Sequence, residues 1–407
     1  MSFSFAKLLS SCTVHAKRSE IRELLKLTTR PEIISFAGGL PSPDSFPLKE
    51  IEEITCQVIK ESGKSALQYG PTEGDPKLRE QLVKWLSKDG INVDIEQILI
   101  TNGSQQGLDL VGKIFLDIGD PIILELPSYI GGLQAFSSYQ ASMHGVLQDD
   151  EGMRVDLLEE KLKELKTKGI VPKFIYVVPD FQNPSGVTMP TERRIRLLEL
   201  AGEFQTAVIE DSPYRELRFE GQQPEPIIKL DKDGRVILMG TFSKIFCPGL
   251  RLAWIVGPTE VISKMVVAKQ SMDLCTAPFT QAIAAKFMAK GLLLKQIEII
   301  KEMYCRKRKT MLKALEENMP EGVTWTRPEG GLFLWVRVPE HIDSVEMFPE
   351  AIANNVAYVV GSAFHCDGGG RNTMRLNFSY PTEEQIVEGI KRLAAAIKKK
   401  IPAPVVK

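Results

Sequence analysis

Four side chains with reactive or polar ends sit where short apolar runs of this chain stop. Tyr129 follows PIILELPS, Asn183 follows KFIYVVPDFQ, Asp211 follows TAVIE, and Lys244 follows VILMG within Thr241-Phe242-Ser243-Lys244. An amine can act as nucleophile and proton carrier, and an acid, an amide and a phenol can hold a polar ring by hydrogen bonds. Placed around one crevice, the four suggest a bound aromatic cofactor. Arg375 adds a cation on Met374-Arg375-Leu376-Asn377-Phe378, where alternation puts three apolar residues on one face and the arginine on the other, towards the cleft. A guanidinium fork there suits a carboxylate.

The runs that carry these groups set the expected fold. Ile98–Thr101, Pro121–Leu126, Lys173–Val178, Thr206–Ile209 and Val236–Met239 are short, nearly unbroken apolar stretches that end in turn residues. Helical periodicity follows them, as in the stretches from Gly107 and over Arg193–Gly202. Such alternation predicts an α/β fold whose mostly parallel sheet is covered by helices on both faces. Ligands of such sheets sit at the carboxyl ends of the strands, where Tyr129, Asn183, Asp211 and Lys244 fall.

Beyond about residue 290 the pattern changes to a long helix (Lys295–Glu317), a hairpin through Gly330-Gly331, further strands at Ala357–Val360 and Thr373–Ser379, and a closing helix. That helix opens with Thr382 and Gln385 at capping-box spacing and carries the stripe Ile386, Ile390, Leu393, Ala394, Ile397. A smaller α+β domain is expected. The division is an N-terminal arm and helix (1–45) belonging to the small domain and substrate lid, a large domain (46–290) and a small C-terminal domain (291–407).

With 407 residues, 43% of them hydrophobic and 25% charged, the chain has the composition of a folded globular protein. Its net charge of −1 offers no basic surplus for a nucleic-acid backbone. Six scattered cysteines without a CxxC pair fit reduced thiols, and four scattered histidines without HExxH give no metal site. No signal peptide or membrane helix is expected, and a cytoplasmic location follows. Neither GxGxxG after a strand nor GxxxxGK[ST] is present, which disfavours a dehydrogenase or P-loop enzyme.

The runs GSQQGLDL, PDFQNPSG, EDSPYREL, TFSKIFCPGLR and NTMRLNFS, in this order between about Ser35 and Ser379, resemble the fold-type I pyridoxal-phosphate aminotransferases of class I. The stretch SEIRELLKLTTRPEIISFAGGLPSPDSFP most resembles the LysN-type 2-aminoadipate and kynurenine branch. The resemblance implies pyridoxal 5'-phosphate as cofactor, with Lys244 forming an imine with its aldehyde and shuttling the substrate Cα proton. A lone Ser-Lys dipeptide is ordinarily a solvated lysine, but this one lies seven residues before Arg251 within the motif.

The remaining roles follow the same way. Asp211 would keep the pyridine nitrogen protonated, the bland alternative being a helix N-cap. Tyr214 and Asn183 would bond the ring's phenolic oxygen, although Asn183-Pro184 is also an ordinary turn former. Tyr129 would stack on the ring or else be a core tyrosine. Gly103, Ser104 and Gln105, between strand and helix, would offer backbone amides to the phosphate or form a plain βα turn. Thr241 and Ser243 would add hydroxyls, and Arg251 charge. Arg375 would take the substrate α-carboxylate or be an exposed edge-strand charge. The family resemblance also brings Gly39 to the substrate and Tyr69 to the cofactor of the neighbouring subunit, which implies a homodimer with shared active sites. Cys247 lacks a histidine partner and reads as inert.

Arg22 lies with Arg18 and Lys26 on a basic helix face opposite Ile21, Leu24 and Leu25, and a solvated face explains it equally well. In the LysN-like branch the matching arginine meets the distal carboxylate of acidic substrates. Ser212 and Val360-Gly361 depart from that branch, and the second bears on the substrate pocket. The activity implied is ping-pong transfer of an amino group from glutamate or 2-aminoadipate, with leucine or aromatic substrates also in range, to a 2-oxo acid. A lyase or synthase on the same scaffold would share Lys244, Asp211 and Arg251. An aminotransferase-like transcription regulator would need a DNA-binding domain ahead of the motifs, whereas family-like sequence begins near Ser35.

Overall fold

The computed structural model describes residues 5, 8–10 and 30–401. Its strands are β1 (Ile34–Ser35), β2 (Ile98–Thr101), β3 (Pro121–Leu126), β4 (Ser142–Asp149), β5 (Gly152–Met153), β6 (Phe174–Val177), β7 (Ala207–Asp211), β8 (Val236–Thr241), β9 (Ala253–Val256), β10 (Thr324–Trp325), β11 (Phe333–Arg337), β12 (Val356–Ala357), β13 (Val359–Val360) and β14 (Thr373–Asn377).

Eight of these form one sheet in the order β2-β9-β8-β7-β6-β3-β4-β5. Strands β8, β7, β6, β3 and β4 run parallel. Alternate residues of one strand enter different cores. Phe174 and Tyr176 pack on one face, Ile175 and Val177 on the other, and Ile122 and Leu124 oppose Ile123 in the same way. Both faces are therefore dry, which is why these strands read as unbroken apolar runs. Helices Val155–Thr167 and Thr191–Glu203 contribute Leu158, Leu162, Leu197 and Leu200 to the second core. Each such side chain stabilises the fold by about 1.5–3 kcal/mol on burial.

Two strands of this sheet run against the rest: the short β5, antiparallel to β4, and β9, antiparallel to both β8 and β2. Residues 242–252 are all that separate β8 from β9, and a parallel crossover ordinarily needs a dozen or more residues, usually with a helix. The chain therefore turns straight back, and this short return carries Ser243, Lys244 and Arg251. The helix after β2 also begins earlier than its periodicity suggests, at Ser104 rather than Gly107.

The C-terminal part builds an antiparallel sheet, β10-β11-β14-β13. Helix Leu292–Asn318 packs on the closing helix Glu383–Lys398. The capping box forms, with Gln385 N donating to Thr382 Oγ1 at 3.2 Å and Thr382 N to Gln385 Oε1 at 3.0 Å. Ile386, Ile390, Leu393, Ala394 and Ile397 are buried. The single strand expected over Ala357–Val360 is two short ones divided at Tyr358, whose hydroxyl donates to Ser344 O at 2.6 Å. β12 pairs in parallel with β1, so the segment around Ile34 joins this part of the molecule. Among the described residues no helix is long and apolar enough to cross a membrane.

Candidate active site

β2, β3, β6, β7 and β8 all deliver their carboxyl ends to one edge of the large sheet, and a cavity of about 420 Å³ opens there. Twelve of the residues singled out above line it: Gly39, Ser104, Gln105, Tyr129, Asn183, Asp211, Tyr214, Thr241, Ser243, Lys244, Arg251 and Arg375. Gly103 stands behind Arg251. Tyr69 is 79% exposed and does not line this cavity. Arg22 lies outside the described residues.

Asp211 is the last residue of β7 and no helix follows it, so the N-cap explanation falls. It is 2% exposed. Tyr176 Oη donates to its Oδ2 at 2.8 Å, while Oδ1 is buried with no partner among the described residues. Burial pushes this carboxyl up to about 6, and the Tyr176 hydrogen bond works in the opposite direction. An unpartnered buried carboxylate oxygen is costly unless something donates to it, and the protonated nitrogen of a pyridine ring would do so.

Lys244 follows shortly after Thr241, the end of β8, with Ser243 before it. Its Nζ donates to Gly39 O at 2.6 Å. Burial, and then the positive charges of Arg375 and Arg251, bring the amine down to about 8. A larger fraction is thus neutral and nucleophilic near neutrality than for a solvated lysine.

At the other end of the cavity Arg251 has a left-handed backbone (φ 54°). Among the described residues its guanidinium hydrogen-bonds carbonyls and no carboxylate: Pro248 O at 3.3 Å and Asn102 O at 3.5 Å. A Cβ on Gly103 would stand 2.4 Å from Arg251 Nη2, and Gly103 itself has φ +76°, so glycine is required there twice over. At the start of helix Ser104–Phe115, Gln106 N donates to Gly103 O at 3.2 Å, which leaves the Ser104 and Gln105 amides without intrahelical acceptors. Thr241 Oγ1 and Ser243 Oγ are 3.0 Å apart beside them. Amides, hydroxyls and a guanidinium together make an anion cup of phosphate chemistry. The Gln105 side chain is spent on Gly131 O at 3.0 Å, which leaves its backbone amide for the cup.

Arg375 lies on β14, an interior strand between β11 and β13, and is 6% exposed. The edge-strand alternative is excluded. Its Nη1 donates to Asn183 Oδ1 and its Nη2 to Ala37 O, both at 2.8 Å, and Nε has no partner among the described residues. The guanidinium lies 4.2 Å from the Phe333 ring centroid and 5.2 Å from that of Phe364. Burial pulls it down to about 10. Among the described residues no carboxylate pairs with it, and a buried unpaired cation is a receptor for an anion. Asn183 also donates from Nδ2 to Tyr214 Oη at 3.2 Å. Tyr214 packs edge-on against Phe333 at 5.7 Å, and burial raises its phenol.

Two buried groups beside the cavity were not among the residues singled out above. Tyr176 is one aromatic residue among others in FIYV, and nothing in the sequence marks it. Glu125 sits inside PIILEL, accepts from Val178 N at 2.9 Å and Gln182 Nε2 at 3.3 Å, and is pushed up to about 8 by burial. An acid within an apolar strand is a detectable oddity.

A family model described as aminotransferase class I and II matches residues 32–393. The aromatic-amino-acid aminotransferase 1 of Thermococcus litoralis is 50% identical over 398 residues, covering 98% of this chain and 95% of that protein. The structure of Pyrococcus horikoshii kynurenine aminotransferase, in complex with PMP, superposes with a TM-score of 0.95 at 50% identity and 98% coverage of both chains. LysN, the α-aminoadipate aminotransferase of Thermus thermophilus, complexed with N-(5'-phosphopyridoxyl)-L-leucine, gives 0.90 at 40% identity, covering 98% of this chain and 99% of that one.

The chain belongs to the class I and II aminotransferases and has the fold-type I architecture of pyridoxal-phosphate enzymes. It is a transaminase, and its cofactor is pyridoxal 5'-phosphate.

Proposed function

We propose that this enzyme moves amino groups between 2-aminoadipate or glutamate and 2-oxo acids, accepts leucine-like and aromatic amino acids in the same cavity, and works as a cytoplasmic homodimer. The observation that carries the site assignment is the pairing of a depressed amine, Lys244, with the unpartnered Oδ1 of Asp211 in one cavity. Pyridoxal phosphate, when bound, supplies an aldehyde that captures the amino group and a ring that accepts electrons from the substrate Cα.

The chain's own residues do the rest. Lys244 Nζ would hold the cofactor through its aldehyde and would carry the substrate Cα proton. Asp211 Oδ1 would face the ring nitrogen and favour its protonated form. Tyr214 Oη and Asn183 Nδ2 would donate to the ring oxygen, and Tyr129 would cover the ring. The amides after Gly103, with Thr241, Ser243 and Arg251, would hold the phosphate. Arg375 binds the α-carboxylate, and the aromatic rings around it keep water away from that ion pair.

The proteins named above supply the range of side chains: aromatic amino acids and kynurenine for two of them, α-aminoadipate and a leucine adduct for the third. One pocket serves both kinds if Arg22 meets a distal carboxylate and withdraws from an apolar side chain, because a fixed buried cation facing leucine would stay unpaired. Arg22→Ala tests this against a panel of amino donors. A lost charge-assisted contact of about 1.5–3 kcal/mol lowers kcat/KM for 2-aminoadipate roughly ten- to a hundredfold and spares leucine. Equal losses for both substrates return Arg22 to the solvated face. For the dimer, the support is that Leu67 and Tyr69, two residues apart, both expose large apolar side chains.

A further inference from the structure

Tyr176 has no part in the roles above, yet its hydroxyl is the donor seated on Asp211. It lies in the middle of the sheet on β6, with Leu124 of β3 and Ile209 of β7 as its register neighbours, and is fully buried. Its ring meets Phe136 edge-on at 5.4 Å. The helix above comes so close at Gly132 that a Cβ there would stand 3.1 Å from Tyr176 Cε1. The ring is held on several sides, and its hydroxyl reaches one carboxylate oxygen at 2.8 Å while the other oxygen has no partner.

Lys244, Arg251 and Arg375 line the same cavity, but among the described residues none of them forms an ion pair or hydrogen bond with Asp211. Glu125 on β3 is a second buried carboxyl, and Tyr129 and Tyr214 bring phenols whose ionised forms the Asp211 charge opposes. Burial alone would favour a neutral Asp211, and the Tyr176 hydrogen bond is the contact that favours the anion. A second donor group that orients a ligand-bearing group commonly sets that group's basicity as well.

We propose that Tyr176 is a positioning residue for amino transfer: its hydroxyl locks Asp211 Oδ2, aims Oδ1 at the ring nitrogen, and keeps the carboxylate anionic next to Glu125. The proposal rests on the assignment of Asp211 to the ring nitrogen made above. With Tyr176 absent, the proton shared between ring and carboxylate moves towards the carboxylate, the ring withdraws fewer electrons, and the nitrogen of Lys244 in the resting holoenzyme becomes more basic.

The test compares holoenzymes carrying Tyr176→Phe, which removes one oxygen, and site-specific 3-fluorotyrosine at 176, a stronger donor of nearly the same shape. Two quantities are measured: the pH midpoint of the visible absorption band, and the affinity of apoprotein for pyridoxal phosphate by equilibrium dialysis. Tyr176→Phe raises the midpoint by about one unit and weakens cofactor binding roughly tenfold, the scale of one hydrogen bond to a charged group. Fluorotyrosine moves the midpoint down, an opposite sign that a packing role cannot produce. Should Tyr176→Phe not fold, the fluorotyrosine protein carries the test alone. An unchanged midpoint and affinity, or shifts of the same sign in both variants, overturn the proposal. Asp211→Asn separates the two levels. If it leaves midpoint and affinity unchanged, the Asp211 assignment fails; if it shifts them while the Tyr176 variants do not, only the Tyr176 proposal fails.

Discussion

Replacing Arg375 by leucine removes the charge from the carboxylate receptor but keeps an apolar side chain among Phe333 and Phe364. In the folded chain two of the guanidinium's N–H groups are committed to Asn183 Oδ1 and Ala37 O, and Nε is free. A substrate α-carboxylate can therefore take two charge-assisted hydrogen bonds from what remains. At about 1.5–3 kcal/mol each, their loss amounts to about 3–6 kcal/mol, or roughly a hundred- to ten-thousandfold in kcat/KM. The effect on folding is smaller. Two buried acceptors lose a donor, which costs about 1–3 kcal/mol each, but an unpaired buried charge disappears as well, and the two changes oppose one another. Single-turnover decay of the visible band with glutamate, and separately with leucine, measures the loss. The expected variant is folded and yellow, and damaged equally towards both substrates. A loss below tenfold for both, or one confined to glutamate, would refute the assignment of Arg375 to the α-carboxylate.

Two further outcomes follow from charge and exposure. Lys244 ionises at about 8 in the folded apoprotein, below its ordinary value of 10.5, so its burial destabilises the fold fully below pH 8. That penalty disappears as pH rises towards 10.5, where the unfolded chain also loses the proton. The melting temperature of Lys244→Met apoprotein relative to wild type should accordingly fall between those pH values, and a constant difference would show that the amine is not depressed. Mixing inactive Lys244→Ala with an inactive Tyr69 variant should restore part of the activity as hybrid dimers form, followed by turnover and sedimentation; no recovery together with an active wild-type monomer contradicts the shared site.

The parallel strands were legible because a sheet covered on both faces leaves nothing but apolar residues between its turns, and the strand ends then point to the ligand edge. The direction of β9 was not legible. Ala253–Val256 has the same apolar character as its neighbours, and its reversal is set by the short connection 242–252 rather than by its own residues. Asp211 and Lys244 stand out in sequence because each interrupts or follows an apolar run at its end. Tyr176 does not, since a strand buried on both faces gives no period by which a phenol with a hydrogen-bonding role differs from a packing aromatic. Arg375 was recognisable as a cation on an apolar strand, but its isolation from every carboxylate among the described residues is a property of the folded chain.

Amino transfer by this chain requires Lys244 to hold the cofactor opposite Asp211. Borohydride reduction of the yellow holoenzyme followed by proteolysis and mass spectrometry tests this most directly. The pyridoxyl group is expected on the peptide containing Lys244, and no visible band is expected in Lys244→Ala. A modified peptide carrying any other lysine, or an unchanged band in the variant, would contradict it.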